Sequence, residues 1–250
     1  MIMSFIKTPN LPQNNVTKLI CGSLVKPYES ELNKLGAEVV YSDDNSVFDT
    51  PLKSHADLFV NYIGDGKIIL DASQKGLRNK LELLGFTVIS AFESVEKTYP
   101  SDCRLNCVIT NDIIICNKAI TDNSVLDFAV EKALKLINVK QGYCKCSVLP
   151  VNGNAFITDD EGIYKALKAE KLDALYVEKG SVALKGYSYG FIGGCSGKIA
   201  NDIIAFCGNI RLHKSYKDIK SFIKNYGIEA VSLSDGELSD VGSLIPIIEK

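Results

Sequence analysis

At 250 residues with 46% hydrophobic content, the chain is long enough to bury an ample core in one large domain or two small ones. Its 28 basic and 30 acidic residues nearly cancel and no Lys/Arg block stands out, so the electrostatic case for nucleic acid or an anionic membrane as partner is weak. No stretch approaches the roughly 18 apolar residues that span a bilayer, and the apolar run in "MIMSFIKTPNLPQNN" is too short for a signal peptide, so the expected location is cytoplasmic. In that reducing setting the eight cysteines read as small buried hydrophobes rather than disulfide partners.

In chain order, "VTKLICGSL" supplies a strand with no preceding partner, and "SELNKLGAEVVY" reads as an amphipathic helix, a closing glycine and a β-branched strand. That helix-to-strand unit returns in "NKLELLGFTVIS", "VEKALKLINVK", "ALKAEKLDALYV" and "SFIKNYGIEAVSL". Between the units lie apolar strand pairs broken at turn residues: Gly64-Asp65-Gly66, Asn111-Asp112, Asn152-Gly153 and Asn201-Asp202. The final stretch, "DVGSLIPIIEK", ends one strand short of a fifth pair.

Five units in 250 residues give a period of about fifty. Pairing the terminal strands would close a ring and remove an exposed edge. The expected architecture is therefore α/β: a five-bladed α/β propeller, one domain over residues 1–250, with helices outside and the first strand of each blade near the axis. A three-layer sandwich accommodates so many antiparallel hairpins poorly.

The blade order resembles the pentein fold of guanidino-group-modifying enzymes, with a last blade similar to that of the dimethylarginine dimethylaminohydrolases. Such relatives place a nucleophilic cysteine in a segment matched here by "DGELSDVGSLIPI", where Asp240 stands in its position. Their acidic pair falls on Asn61 and Tyr62 of "LFVNY", and their histidine falls by blade counting near "QGYCKCS", which has none. The resemblance thus implies the fold and a small polar or guanidino-type ligand in a central channel, without the usual Cys/His/acid catalysis. Two alternatives stay open. One is a divergent hydrolase or amidinotransferase with a relocated thiol; the other is a non-catalytic interaction protein, like the ribosomal anti-association factor of similar five-fold shape.

For catalysis the candidates are Cys195, Cys144, His55 and Asp57. His55 and Asp57, two apart, would share one face of an extended segment, and an imidazole so placed can act as a base. Cys144 and Cys146 would likewise share a strand face. Cys195 follows paired glycines in "GFIGGCSGK", where the spacing is not that of a phosphate loop and the backbone is expected to approach closely at the axis. Polar residues at strand starts, Asn61, Arg104, Asn106, Lys145, Asp240 and Ser243, are the candidate ligand-binding set, and His55, Asp57, Arg104, Asn106, Lys145, Cys195 and Asp240 are expected to ring one mouth of the channel. His213, leading into a helix, reads as a surface residue. Cys-x-Cys without a second close pair does not make a metal site, and no cofactor is implied.

Overall fold

The computed structural model describes residues 3–250. Helices Glu29–Lys34, Lys75–Leu83, Asn123–Glu131, Glu161–Ala169 and Tyr216–Lys224 lead respectively to strands Glu38–Tyr41, Thr87–Ser90, Lys135–Asn138, Asp173–Tyr176 and Glu229–Ser232. Four of the helices bury an i, i+4 pair: Leu77 and Leu81, Val125 and Ala129, Ile163 and Leu167, Ile219 and Ile223.

All five helices stop the same way. A left-handed residue closes the last turn and the next amide reaches back to a carbonyl five residues earlier, as in Ala37 to Leu32, Phe86 to Leu81 and Ile228 to Ile223. Glycine fills the left-handed position at Gly36, Gly85 and Gly227, but Ala133 and Lys171 adopt it in the other two units with φ of 51° and 60°. A Cβ there costs about 1–2 kcal/mol, so the repeat is held by its hydrogen bonds even where the glycine is absent.

The sheets share one topology. Strand Val60–Gly64 runs antiparallel to Lys67–Leu70, which is parallel to Thr87–Ser90; the units built on Val108–Ile109, Val148–Asn152 and Ser196–Ala200 repeat the pattern. The fifth is assembled from both chain ends. Ile245–Glu249 pairs antiparallel with Val16–Cys21, with Ile245 opposite Ile20, and Ser4–Phe5 covers its other edge. The expected terminal pairing is therefore present.

Hydrogen bonds link the inner segments in sequence. Asn61 donates to the carbonyls of Leu105 and Cys107 at 2.9 and 3.0 Å, and Asn106 accepts from the Lys145 amide at 2.7 Å. The Gly194 amide donates to Cys146, that of Ser243 to Gly194, and that of Asp57 to Gly242. These bonds tie neighbouring inner segments together.

Gly193 shows how close the approach is: a Cβ there would lie 2.4 Å from the Lys145 carbonyl oxygen and 2.5 Å from that of Val148. Neither atom belongs to a flexible side chain. Gly193→Ala is expected to cost about 3 kcal/mol in urea unfolding, the upper end of ordinary overpacking, and a loss under about 1 kcal/mol would show that the segments slide apart easily.

Three local expectations are corrected. Ala56–Phe59 and Cys144–Ser147 are helical turns before their strands, so neither His55 and Asp57 nor Cys144 and Cys146 share an extended face. His213 is buried at 3% exposure, where Nδ1 accepts from the Ser215 amide at 3.0 Å, and burial lowers its pKa to about 4. Among the described residues no helix is long and apolar enough to cross a membrane, and the eight cysteines are all free and buried.

Candidate functional site

The helical turns ahead of the inner strands bring polar side chains together that a straight strand would have kept apart. Asp57 Oδ2 accepts from the Ser243 hydroxyl at 2.6 Å and the Cys146 thiol at 3.2 Å, while its Oδ1 is buried without a partner. Asn106 braces the cluster: its amide nitrogen donates to the Asp57 carbonyl (3.0 Å) and meets Cys146 Sγ (3.1 Å), and its oxygen accepts from the amides of Lys145 and Cys146.

Asp240 lies opposite. Its carboxylate accepts from the amides of Phe191 (2.9 Å) and Gly242 (3.1 Å), and one oxygen is 3.9 Å from His55 Nε2, an atom with no hydrogen-bond partner. The glycines of "YGFIGG" are what let the chain wrap this carboxylate. A Cβ on Gly194 would stand 2.2 Å from an Asp240 oxygen, and one on Gly190 would stand 2.5 Å from Asp240 Cβ.

Burial sets the electrostatics. It pushes the Asp240 carboxyl up, an effect His55 opposes and Asp57 reinforces. Asp159, which accepts from the Ile192 amide at 2.8 Å, is raised by burial to about 7. Burial lowers Lys145, against the pull of Asp57, and holds the Cys146 thiol well above its ordinary range, with Asp57 and Asp240 adding to the rise.

A cavity of about 250 Å³ opens on this cluster, lined by His55, Cys146 and Asp240 together with Tyr143, Tyr189 and Phe191. Tyr143 is fixed by donating to Asp102 at 2.5 Å.

The expected set divides. Asp57, Asn106 and Ser243 support the cavity from behind through the bonds above, whereas Asn61 and Lys145 line a separate pocket of about 10 Å³, so the polar residues do not ring one mouth. Arg104 turns away to Glu93, at 2.8 Å, and Ser101. Cys195 and Cys144 are both fully buried, donating to the carbonyls of Ile192 and Gln141, and neither lines the cavity. Cys146 does, because the helical turn rotates it toward Asp57 and Cys144 into the core.

The aromatic wall and Asp159 were not anticipated from the sequence. The alternation in "GYSYGF" is its one visible trace, since Tyr187, Tyr189 and Phe191 all line the cavity.

The fold is that of the penteins. Among solved structures it is similar to inosamine-phosphate amidinotransferase of Streptomyces griseus at 12% identity and a TM-score of 0.61, over 95% of each chain. It is also similar to C. jejuni agmatine deiminase with substrate bound (10%, 0.57, over 98% of this chain and 96% of that one). A third is the dimethylarginine dimethylaminohydrolase of Pseudomonas aeruginosa in complex with citrulline (11%, 0.52, over 92% and 96%). Identities this low establish the α/β pentein fold alone. The chain belongs to DUF6873, a family of unknown function, whose sequence model matches residues 19–245. No curated protein matches it in sequence.

Proposed function

We propose that the chain binds a small cationic ligand of guanidino or amino type in the cavity beside Asp240 and His55, within a single closed ring whose five blades are the sheets described above. The observation that carries this reading is the charge balance. The buried carboxyls Asp57 and Asp240 have one buried lysine near them, Lys145, and Asp159 has Lys179; burial raises Asp159 and Asp240 all the same, so their charged forms lack full compensation. A cation in the cavity supplies it. The ligand class also suits the fold, since one similar structure holds citrulline and another an agmatine deiminase substrate.

Binding without turnover is favoured because Asp240 occupies the position of the relatives' nucleophile and burial keeps the Cys146 thiol protonated. Thermal unfolding with a panel of guanidino compounds, amines and neutral ureido analogues tests it. A cation at about a hundred times its Kd is expected to stabilise the fold by about 2.7 kcal/mol, an effect that Asp240→Asn abolishes. No shift with any cation would overturn the reading.

One observation favours a second reading, a guanidino-modifying enzyme with a relocated nucleophile: among the described residues Cys146 is the one cysteine on the cavity wall, 3.2 Å from Asp57. Alkylation near neutral pH separates the two. The binding reading expects all eight thiols to react slowly until the protein unfolds, and rapid labelling at Cys146 alone, lost in Cys146→Ser, would favour the enzyme.

A further inference from the structure

The cavity lining is chemically lopsided. Seven of its eleven residues are leucine, tyrosine or phenylalanine, and the aromatic ones meet at a corner. Phe191 lies 6.1 Å from Tyr143 with the planes 28° apart, and 5.7 Å from Tyr189 with the planes 86° apart, so the rings present surfaces in two directions. Tyr187, half exposed, adds a fourth ring.

The acceptors, by contrast, are fewer than a guanidinium's five donors: each Asp240 oxygen already takes one backbone amide and keeps one lone pair, and Asp57 Oδ2 takes Ser243 and Cys146 while its Oδ1 is sealed from solvent. A guanidinium brings five N–H donors and leaves unsatisfied any that point at aromatic carbon. A quaternary ammonium brings none. Its charge is spread over methyl surface, which ring faces attract, and the carboxylates act on it through the field without direct hydrogen bonds.

We infer that this site, if it is the cation site proposed above, is built for a methylated or quaternary ammonium group: Tyr143, Tyr187 and Phe191 hold the methyls, Tyr189, whose ring already carries the Lys179 ammonium 5.4 Å from its centroid, buttresses Phe191, and Asp240 and Asp57 supply the opposing charge. His55 Nε2, 1% exposed at the residue level, unpartnered and on the cavity wall, gives a hydrogen bond to a hydroxyl or carboxylate on the ligand's tail. The cavity of about 250 Å³ accommodates such a headgroup with a short tail.

Calorimetric titration of the full chain with four small probes tests this. Choline is expected to bind at least tenfold tighter than ethanolamine, which has the same tail and a bare ammonium, and at least tenfold tighter than 3,3-dimethylbutan-1-ol, which has its shape without the charge. Tyr187→Leu, at a half-exposed position that leaves the core intact, is expected to weaken choline about tenfold at an unchanged melting temperature, and Phe191→Leu to do the same. If ethanolamine or methylguanidine binds as tightly as choline, the quaternary-ammonium assignment fails while the cation site stands. Choline binding that is indifferent to Tyr187→Leu and Phe191→Leu overturns the aromatic cage. Equal binding of the neutral alcohol, or no binding by any probe, overturns both readings.

Discussion

Asn106→Ala is expected to destabilise the protein by about 3–5 kcal/mol, measured as a drop in the urea midpoint at unchanged m-value. The side chain is 2% exposed and joins its own unit to the helical turns Ala56–Phe59 and Cys144–Ser147 of two others. Alanine leaves the amides of Lys145 and Cys146 and the carbonyl of Asp57 without this partner in a dry interior, and each such orphan costs about 1–3 kcal/mol. The neighbouring carbonyls cannot turn to compensate, because Gly193 is packed against the same turn. A loss of less than about 1 kcal/mol would show that water enters and replaces the side chain. Asn106→Asp keeps the acceptor and loses the donor while adding a carboxylate beside Asp57, so it is expected to be no more stable than the alanine variant at neutral pH.

The second large effect is a gain. Asp159→Asn is expected to stabilise the protein above pH 7 and to leave it unchanged near pH 3.5. Burial raises the Asp159 carboxyl to about 7, against about 3.9 in an unfolded chain. The folded state therefore binds more protons than the unfolded one between those values, and stability is lost as pH rises through that window. At about 1.4 kcal/mol for each factor of ten in proton affinity, the full difference is about 4 kcal/mol. Asparagine still accepts from the Ile192 amide and carries no charge to bury.

His213 acts in the opposite sense over part of the same range. Its pKa is lowered to about 4, so the stability it contributes is present above about 6.5 and is lost as pH falls through about 4. The parent's pH profile mixes both slopes, and the difference between parent and Asp159→Asn isolates the carboxyl. A difference independent of pH would overturn the assignment. If a cation occupies the neighbouring cavity, saturating ligand is expected to narrow the gap, since the bound charge relieves the parent's carboxyls and has less to relieve in the variant.

Cys146 and Asp240 illustrate why the proposed reading favours binding over unaided chemistry. A thiol among carboxylates stays protonated, and a carboxylate among carboxylates becomes a weaker acid. Both trends are reversed by the arrival of positive charge. On the proposed reading a bound cation supplies that charge, and the aromatic lining restricts which cation fits.

The repeated units were legible because they rest on local chemistry. Helix periodicity, the left-handed closure at Gly36, Gly85 and Gly227, and the turn residues at Gly64-Asp65-Gly66 are read from neighbours in the chain. The pairing of Ile245–Glu249 with Val16–Cys21 was legible as well, since two strands each lacked a partner and an open edge is costly. His55, Asp57, Asn106, Asp240 and Ser243 could be named as polar residues at strand starts.

Their roles could not, because a single helical turn decides them. Ala56–Phe59 and Cys144–Ser147 rotate side chains by about 100° per residue where a strand alternates by 180°, so Cys146 meets Asp57 and Cys144 enters the core. Nor does any local pattern show that Arg104 pairs outward with Glu93 or that Asn61 ties two sheets together. Sequence alone determined the repeat, the closure of the three helices that end in glycine and most of the polar residues at strand starts, all of which depend on residues a few positions apart. Only the tertiary structure decided which of those residues share a cavity, which carboxyls are buried together and which aromatic rings wall them in, because desolvation and charge proximity arise from segments fifty to nearly two hundred positions apart in the chain.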